Sequence, residues 1–150
     1  MPQLAPPSGR IDDGLHLFPV RVYFEDTDLS GVVYHANYLR FMERARSDML
    51  RLAGIDQRGT FDAAGTAYVV ADLAIRYRAP AKLDDALIIT TRVADVRAAS
   101  VVIQQTVSRD TLILAEADVV AAWVKDGRPR RQPAEWIASF RMLIQPGERP

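Results

Sequence analysis

The sequence predicts an α+β protein in which one long helix packs on the concave face of a curved antiparallel sheet of about five strands. Three observations carry this. One wide apolar stripe at helical spacing runs over residues 37–53. The chain before and after it alternates with the two-residue period of strands. Several of those alternating segments are long, which demands strong curvature. A length of 150 residues bounds the chain to one domain, burying roughly 70% of the surface that it would expose unfolded.

The elements follow in order. Residues 1–16 hold Pro2, Pro6, Pro7, Gly9 and Gly14 with few large apolar groups, and are expected to form a mobile N-terminal arm. The domain proper is expected over 17–140, with a tail at 141–150. From Leu17 to Phe24 the chain alternates, with Val20, Val22 and Phe24 on one face and Arg21 and Tyr23 on the other. Pro19 marks this strand as an edge or a strand start. Residues 25–36 then break the pattern with Asp, Thr, Ser and Gly. In the helix, Tyr38, Phe41, Met42, Ala45, Met49, Leu52 and Ala53 recur at three- and four-residue steps. Asn37 is the expected N-cap and Gly54 the expected stop, and the helix should be roughly 25 Å long. Four strands are expected next, over 66–78, 87–96, 101–108 and 111–124, as an antiparallel meander. In the first, Val69, Ala71, Leu73, Ile75 and Tyr77 share a face. In the last, Ile113, Ala115, Ala117, Val119, Ala121 and Trp123 do. Residues 127–131 read as a basic turn, and Pro133 opens a short closing helix to Phe140.

Composition excludes several functions. Nineteen basic and nineteen acidic side chains cancel, which argues against a dedicated nucleic-acid binder. Seventeen of the nineteen cations are arginine, so a local basic patch stays open. The chain has no cysteine, which removes disulfides, thiolate metal sites and a cysteine nucleophile together. With two histidines besides, a metal site is not expected. No apolar run approaches the ~18 residues that would span a bilayer, and the start of the chain lacks the basic-then-apolar order of a secretory signal. These features together point to a cytoplasmic protein with no direct membrane insertion.

The chemistry concentrates in residues 23–38, YFEDTDLSGVVYHANY. Carboxylates follow a strand, and a histidine precedes a helix. A helix N-terminus offers unpaired N–H groups and a positive dipole end, suited to a carbonyl oxygen that gains negative charge. A carboxylate in the adjoining loop can act on that carbonyl as general base or nucleophile. Gly31 allows close backbone approach. The same residue types also satisfy ordinary turns and caps, so the residues alone leave a structural reading open beside a catalytic one. Neither a glycine-rich phosphate loop nor a G-x-S-x-G elbow occurs.

The full string shifts the balance toward the catalytic reading. Residues 23–37, continued by Tyr38-Leu39-Arg40-Phe41-Met42-Glu43-Arg44-Ala45-Arg46, closely resemble the signature of the 4-hydroxybenzoyl-CoA thioesterase family, in particular its YbgC-type branch of acyl-CoA thioesterases associated with the Tol-Pal system. The likeness extends over about residues 17–140, and Tyr77-Arg78-Ala79-Pro80-Ala81 resembles the family's strand-end segment before an Asp-containing turn. It implies the hotdog fold, a homodimer or homotetramer with sites between subunits, acyl-CoA as substrate and no cofactor. It places the catalytic aspartate at Asp28 and the carbonyl-polarising N–H at His35, with Tyr34 and Gly31 beside them. Leu29-Ser30 departs from the small or proline residues expected after that aspartate, which bears on substrate shape. Glu43, a position some hotdog enzymes use, is expected to be a surface or interface charge here, and Glu25 and Asp26 to be loop acceptors. Val33, Val69 and Val70 are the expected acyl-pocket residues, with Arg76, Arg78 and Arg97 the expected contacts to the CoA phosphates. Arg128, Arg130 and Arg131 are a candidate surface for an acidic acyl carrier protein. Two alternatives remain: a non-catalytic acyl-thioester or carrier-protein scaffold, and a hotdog hydratase, which the seven-residue Asp28-to-His35 spacing without proline disfavours.

Overall fold

The computed structural model describes residues 1–144. The elements run β1 (Arg10–Asp12), β2 (Leu15–Arg21), a single 3-10 turn (Phe24–Asp26), α1 (His35–Leu52), α2 (Gln57–Ala64), β3 (Thr66–Tyr77), β4 (Ala86–Val96), β5 (Ser100–Arg109), β6 (Leu112–Lys125), β7 (Arg128–Pro129) and α3 (Ala134–Leu143). One antiparallel sheet has the order β1-β2-β4-β5-β6-β3, with β7 paired to β6. It has seven strands rather than five. The two additional strands are three and two residues long, too short for alternation to show. Each hangs on an Asp-Gly turn whose residues both adopt positive φ, Asp13–Gly14 (50° and 82°) and Asp126–Gly127 (52° and 75°). That backbone suits tight hairpins.

The expected meander is corrected at one point. Strands β4, β5 and β6 do follow one another, but β3 pairs with β6 at the far edge, and β4 returns to pair with β2. The chain leaves β2, traverses the sheet face as α1 and enters the sheet again at the opposite edge. The buried side of α1 presents Tyr38, Phe41, Met42, Ala45 and Met49 to a core that includes Leu87, Ile89, Val93, Ile103, Val107 and Val119. Register shifts between Val70 and Asp72, Val93 and Asp95, and Val107 and Ser108 change which residues face inward. After the last of these Leu114 is buried and Ile113 exposed, against the expected face of β6.

Three local expectations also change. The first helical residue of α1 is His35, its N-cap is Tyr34, and Asn37 is buried inside the first turn. Helix α2 carries no apolar stripe for a sequence pattern to reveal, since QRGTFDAA holds a glycine and buries none of its residues; Asp56 caps it by accepting the Gly59 N–H (3.0 Å). Pro133 caps α3 rather than opening it. The segment expected to be a mobile arm is held onto α1 from Ser8 onward. Asp48 accepts the Ser8 hydroxyl (2.6 Å) and the Gly9 N–H (2.9 Å), and lies 2.7 Å from Nε2 of the buried His16. Of the expected tail, residues 141–143 belong to α3, and 145–150 lie outside the described residues.

Candidate active site

The segment between β2 and α1 is stitched to the segment before β4. Val22 exchanges hydrogen bonds with Asp84 and Asp85, Val32 bridges to Lys82, and the Val33 N–H donates to the Ala81 carbonyl (2.8 Å). Within it a short hairpin forms: Thr27 bridges to Val33, the Asp28 N–H donates to the Val32 carbonyl (2.9 Å), and the Gly31 N–H donates to the Asp28 carbonyl (3.0 Å). Gly31 sits at φ +83°, a conformation that costs other residues strain, so glycine is needed to close this turn.

The hairpin is joined to the helix through one atom. The Asp26 carbonyl oxygen accepts both the Tyr34 N–H (2.9 Å) and the Asn37 side-chain amide (2.9 Å). Both Asp26 and Asn37 are buried. The Asp26 carboxylate meanwhile accepts the Tyr23 N–H (2.8 Å), so Asp26 is a loop acceptor as expected. Asn37 therefore ties the first turn of α1 to the strand that carries Asp28. By the ladder, Asp28 sits opposite Val32, two residues before Tyr34, or about 7 Å along the strand.

At the helix entry, neither the His35 N–H nor the Ala36 N–H has a partner among the described residues. These are donors that a helix start leaves open by construction. The His35 carbonyl accepts the Tyr77 hydroxyl (2.8 Å), and the His35 ring meets Tyr77 edge-on with centroids 6.3 Å apart. Tyr34 lies against His35 at 4.4 Å. Tyr38 accepts the Ala81 N–H (2.9 Å) and packs against Tyr77 at 5.5 Å. Burial pushes the phenol pKa of both Tyr38 and Tyr77 upward, so both stay neutral. A cleft opens here between Val33, His35, Tyr38, Tyr77 and the Arg78–Pro80 strand end.

Asp28 is exposed, and its carboxyl is held below the ordinary carboxylate range. The main cause is the Ser30 hydroxyl, which donates to Oδ1 (2.5 Å); slight burial opposes this, and the Ser30 N–H (2.9 Å, also on Oδ1) reinforces it. At neutral pH the group is an acceptor-only carboxylate.

The structure thus gathers Asp28, Gly31, Val33, Tyr34, His35 and Arg78 at one end of α1. It does not gather the rest within one chain. Val69 and Val70 are exposed on the edge strand β3, beside an apolar hollow with Met49, Leu50 and Phe140 at the other half of the helix. Arg76 faces a polar groove with Gln104, Glu116 and Asp118. Arg97 occupies the β4–β5 turn and pairs with Asp95 (3.3 Å), at the end of the sheet opposite His35. Arg78 is braced by Glu116, which accepts from Nη2 (2.7 Å) and Nε (2.9 Å). Glu43 is engaged by Arg46 (2.5 Å). Tyr77 and Ser30 were not singled out as site residues. Tyr77 lies in the strand-end segment already noted, but its reach across to His35 is a tertiary fact.

Residues 22–141 match the family model of the Thioesterase-like superfamily. The chain belongs to this superfamily. Its architecture is the hotdog fold, with α1 packed on the curved sheet. The acyl-CoA thioesterase YbgC of Haemophilus influenzae is 45% identical over 135 residues, covering 89% of this chain and 98% of that protein. The acyl-CoA thioester hydrolase YbgC of Escherichia coli O6:H1 is 42% identical, covering 85% and 96%. Among solved structures, a probable thioesterase from Bartonella henselae superposes with a TM-score of 0.76 at 37% identity, covering 79% and 99%. An Asp-to-Asn mutant of 4-hydroxybenzoyl CoA thioesterase, complexed with 4-hydroxybenzoyl CoA, gives 0.79 at 25% identity, covering 84% and 98%.

Proposed function

We propose that this protein is an acyl-CoA thioesterase whose reacting carboxylate is Asp28. The observation that carries the reading is the pair of unpartnered N–H groups at the start of α1, tied through the Asp26 carbonyl to the hairpin bearing an ionised aspartate. The thioester carbonyl oxygen accepts the His35 N–H, where the helix dipole favours developing negative charge. Asp28 either attacks the carbonyl carbon, forming an acyl-aspartyl anhydride that water then opens, or takes a proton from the attacking water. In both routes the carbon–sulfur bond breaks and coenzyme A leaves as the thiolate, which ends as the thiol by taking up a proton from the water consumed, with the free acid as co-product. The YbgC names of the relatives support acyl-CoA as the substrate class. Gly31 shapes the turn, Tyr34 and Val33 flank the carbonyl, and Arg78 at the cleft edge contacts the CoA phosphates.

The same reading includes a homodimer or homotetramer and a cytoplasmic setting, where CoA thioesters are found. Support for the oligomer is the twelve-residue strand β3, an edge whose outer side has no strand partner among the described residues. A long, exposed edge favours pairing with another strand. A second copy paired antiparallel along β3 would bring the first half of its strand, with Val69 and Val70, toward the Tyr77 end of this one. An acyl carrier protein remains a candidate partner for Arg128, Arg130 and Arg131, all exposed. The test is thiol release across an acyl-CoA panel, from short aliphatic to aromatic acids, with acyl-carrier-protein thioesters alongside. Turnover on an acyl-CoA is the expected result. Tight binding without turnover on every thioester would replace the reading with that of a non-catalytic scaffold.

A further inference from the structure

The loop tip 28–31 is nearly free of packing. Leu29, Ser30 and Gly31 are all exposed, with Leu29 fully so. Among the described residues, no cation pairs with Asp28. The titratable groups on the adjoining segments are Glu25 and Asp26 before the hairpin, Tyr34, His35 and Tyr38 around the start of α1, and Lys82, Asp84 and Asp85 on the segment bridged to Val32; none of them bonds to the Asp28 carboxylate. An exposed aspartate on such a tip would ordinarily sample several rotamers. Here Ser30 makes two contacts to one atom: its hydroxyl (2.5 Å) and its N–H (2.9 Å) both donate to Oδ1, and Oδ2 accepts neither. The main-chain carbonyl of Asp28 is engaged as well, by the Gly31 N–H. The residue is thus gripped on one side only.

We propose that Ser30 is the positioning residue for Asp28, holding Oδ1 so that Oδ2 is the oxygen presented to the thioester or to its attacking water. This rests on Asp28 being the reacting carboxylate. The hydroxyl sets the side-chain rotamer, which the N–H alone sets less firmly, because a single contact to a carboxylate oxygen leaves rotation about that bond. It also sets the proton affinity of the group. Loss of the hydroxyl raises the pH at which Asp28 takes up a proton, so the acid limb of the rate profile moves to higher pH. A serine that merely closed the turn would lower thermal stability and move neither property.

The experiment compares wild type, Ser30→Ala, Ser30→Thr and Asp28→Asn in acyl-CoA hydrolysis across pH, with NMR titration of the Asp28 carboxyl carbon in the first three. In Ser30→Ala, kcat should fall about tenfold with KM within about twofold. The Asp28 titration and the acid limb should both move to higher pH, and Ser30→Thr should restore all three. An unmoved titration, or an undiminished kcat in Ser30→Ala, overturns the role of Ser30 while Asp28→Asn remains inactive. Full turnover in Asp28→Asn overturns the reading of Asp28 itself, and the role of Ser30 in catalysis with it.

Discussion

Replacement of Asn37 by alanine separates positioning from stability at this site. The Asn37 amide donates a 2.9 Å hydrogen bond to the Asp26 carbonyl from a buried position. That carbonyl keeps its second partner, the Tyr34 N–H (2.9 Å), so no acceptor is stranded. The loss is then one net hydrogen bond plus a small void, together about 1–2 kcal/mol. For a domain of this size each kcal/mol corresponds to about 2–4 °C, so Tm should fall by about 2–8 °C and the protein should remain folded at 25 °C. The catalytic cost should be larger. The amide is the side-chain tie between the first turn of α1 and the strand bearing Asp28, and misplacing a reacting group by about 1 Å costs up to about a hundredfold. Steady-state hydrolysis and thermal melts on the same preparation give both numbers. A kcat between about a tenth and a hundredth of wild type, at a modest Tm loss, is expected. A wild-type kcat beside the expected Tm loss would refute the idea that this tie positions the carboxylate.

Two further outcomes follow from the geometry. Gly31→Ala introduces no clash, since nothing lies within 4 Å of the added carbon, but it places alanine at φ +83°; a loss of about 1–2 kcal/mol in urea denaturation, with reduced turnover, is expected. Burial works to raise the carboxyl pKa of Asp48, but hydrogen bonds from Ser8, His16 and Gly9 outweigh it and leave it below the usual carboxylate range. A depressed folded-state pKa stabilises the protein above the unfolded pKa, and that stabilisation is lost as pH falls through the folded one. The stability gap between wild type and Asp48→Asn should therefore be full at neutral pH and shrink on acidification below about pH 4; a gap that stays constant would contradict the assignment.

Much of the fold was legible because local periodicity reports burial. The stripe from Tyr38 to Met49 and the alternation of residues 87–96 need no tertiary information. Pairing between distant strands does, and the placement of β3 at the far edge followed from no local pattern. Phase shifts at three bulges likewise moved residues such as Ile113 off their expected face. Strands β1 and β7 were too short for alternation, although Asp13-Gly14 and Asp126-Gly127 carried a hairpin signal that could have found them. At the candidate site, the placement of Asp28 and Gly31 in a loop just before a helix that starts near His35 was legible from the sequence. The role of Asn37 as a tie to the Asp26 carbonyl, in place of the expected cap, was not, since a cap and a tertiary donor use the same residue type. The reach of Tyr77 to His35, 42 positions away, and the distance of Arg97 from that end are set by strand order, which a single sequence does not display.

The most direct test of the account is thiol release from acyl-CoA by wild type and Asp28→Asn, measured on samples with matching Tm and the same oligomeric state. Asparagine fills the same space and still accepts the Ser30 bonds through one atom, but has neither the charge nor the basicity to attack a carbonyl or activate water. Hydrolysis by wild type that falls at least about a hundredfold in the variant is the predicted result. Equal turnover by the two proteins would contradict it and return the search for the reacting group to the remaining carboxylates.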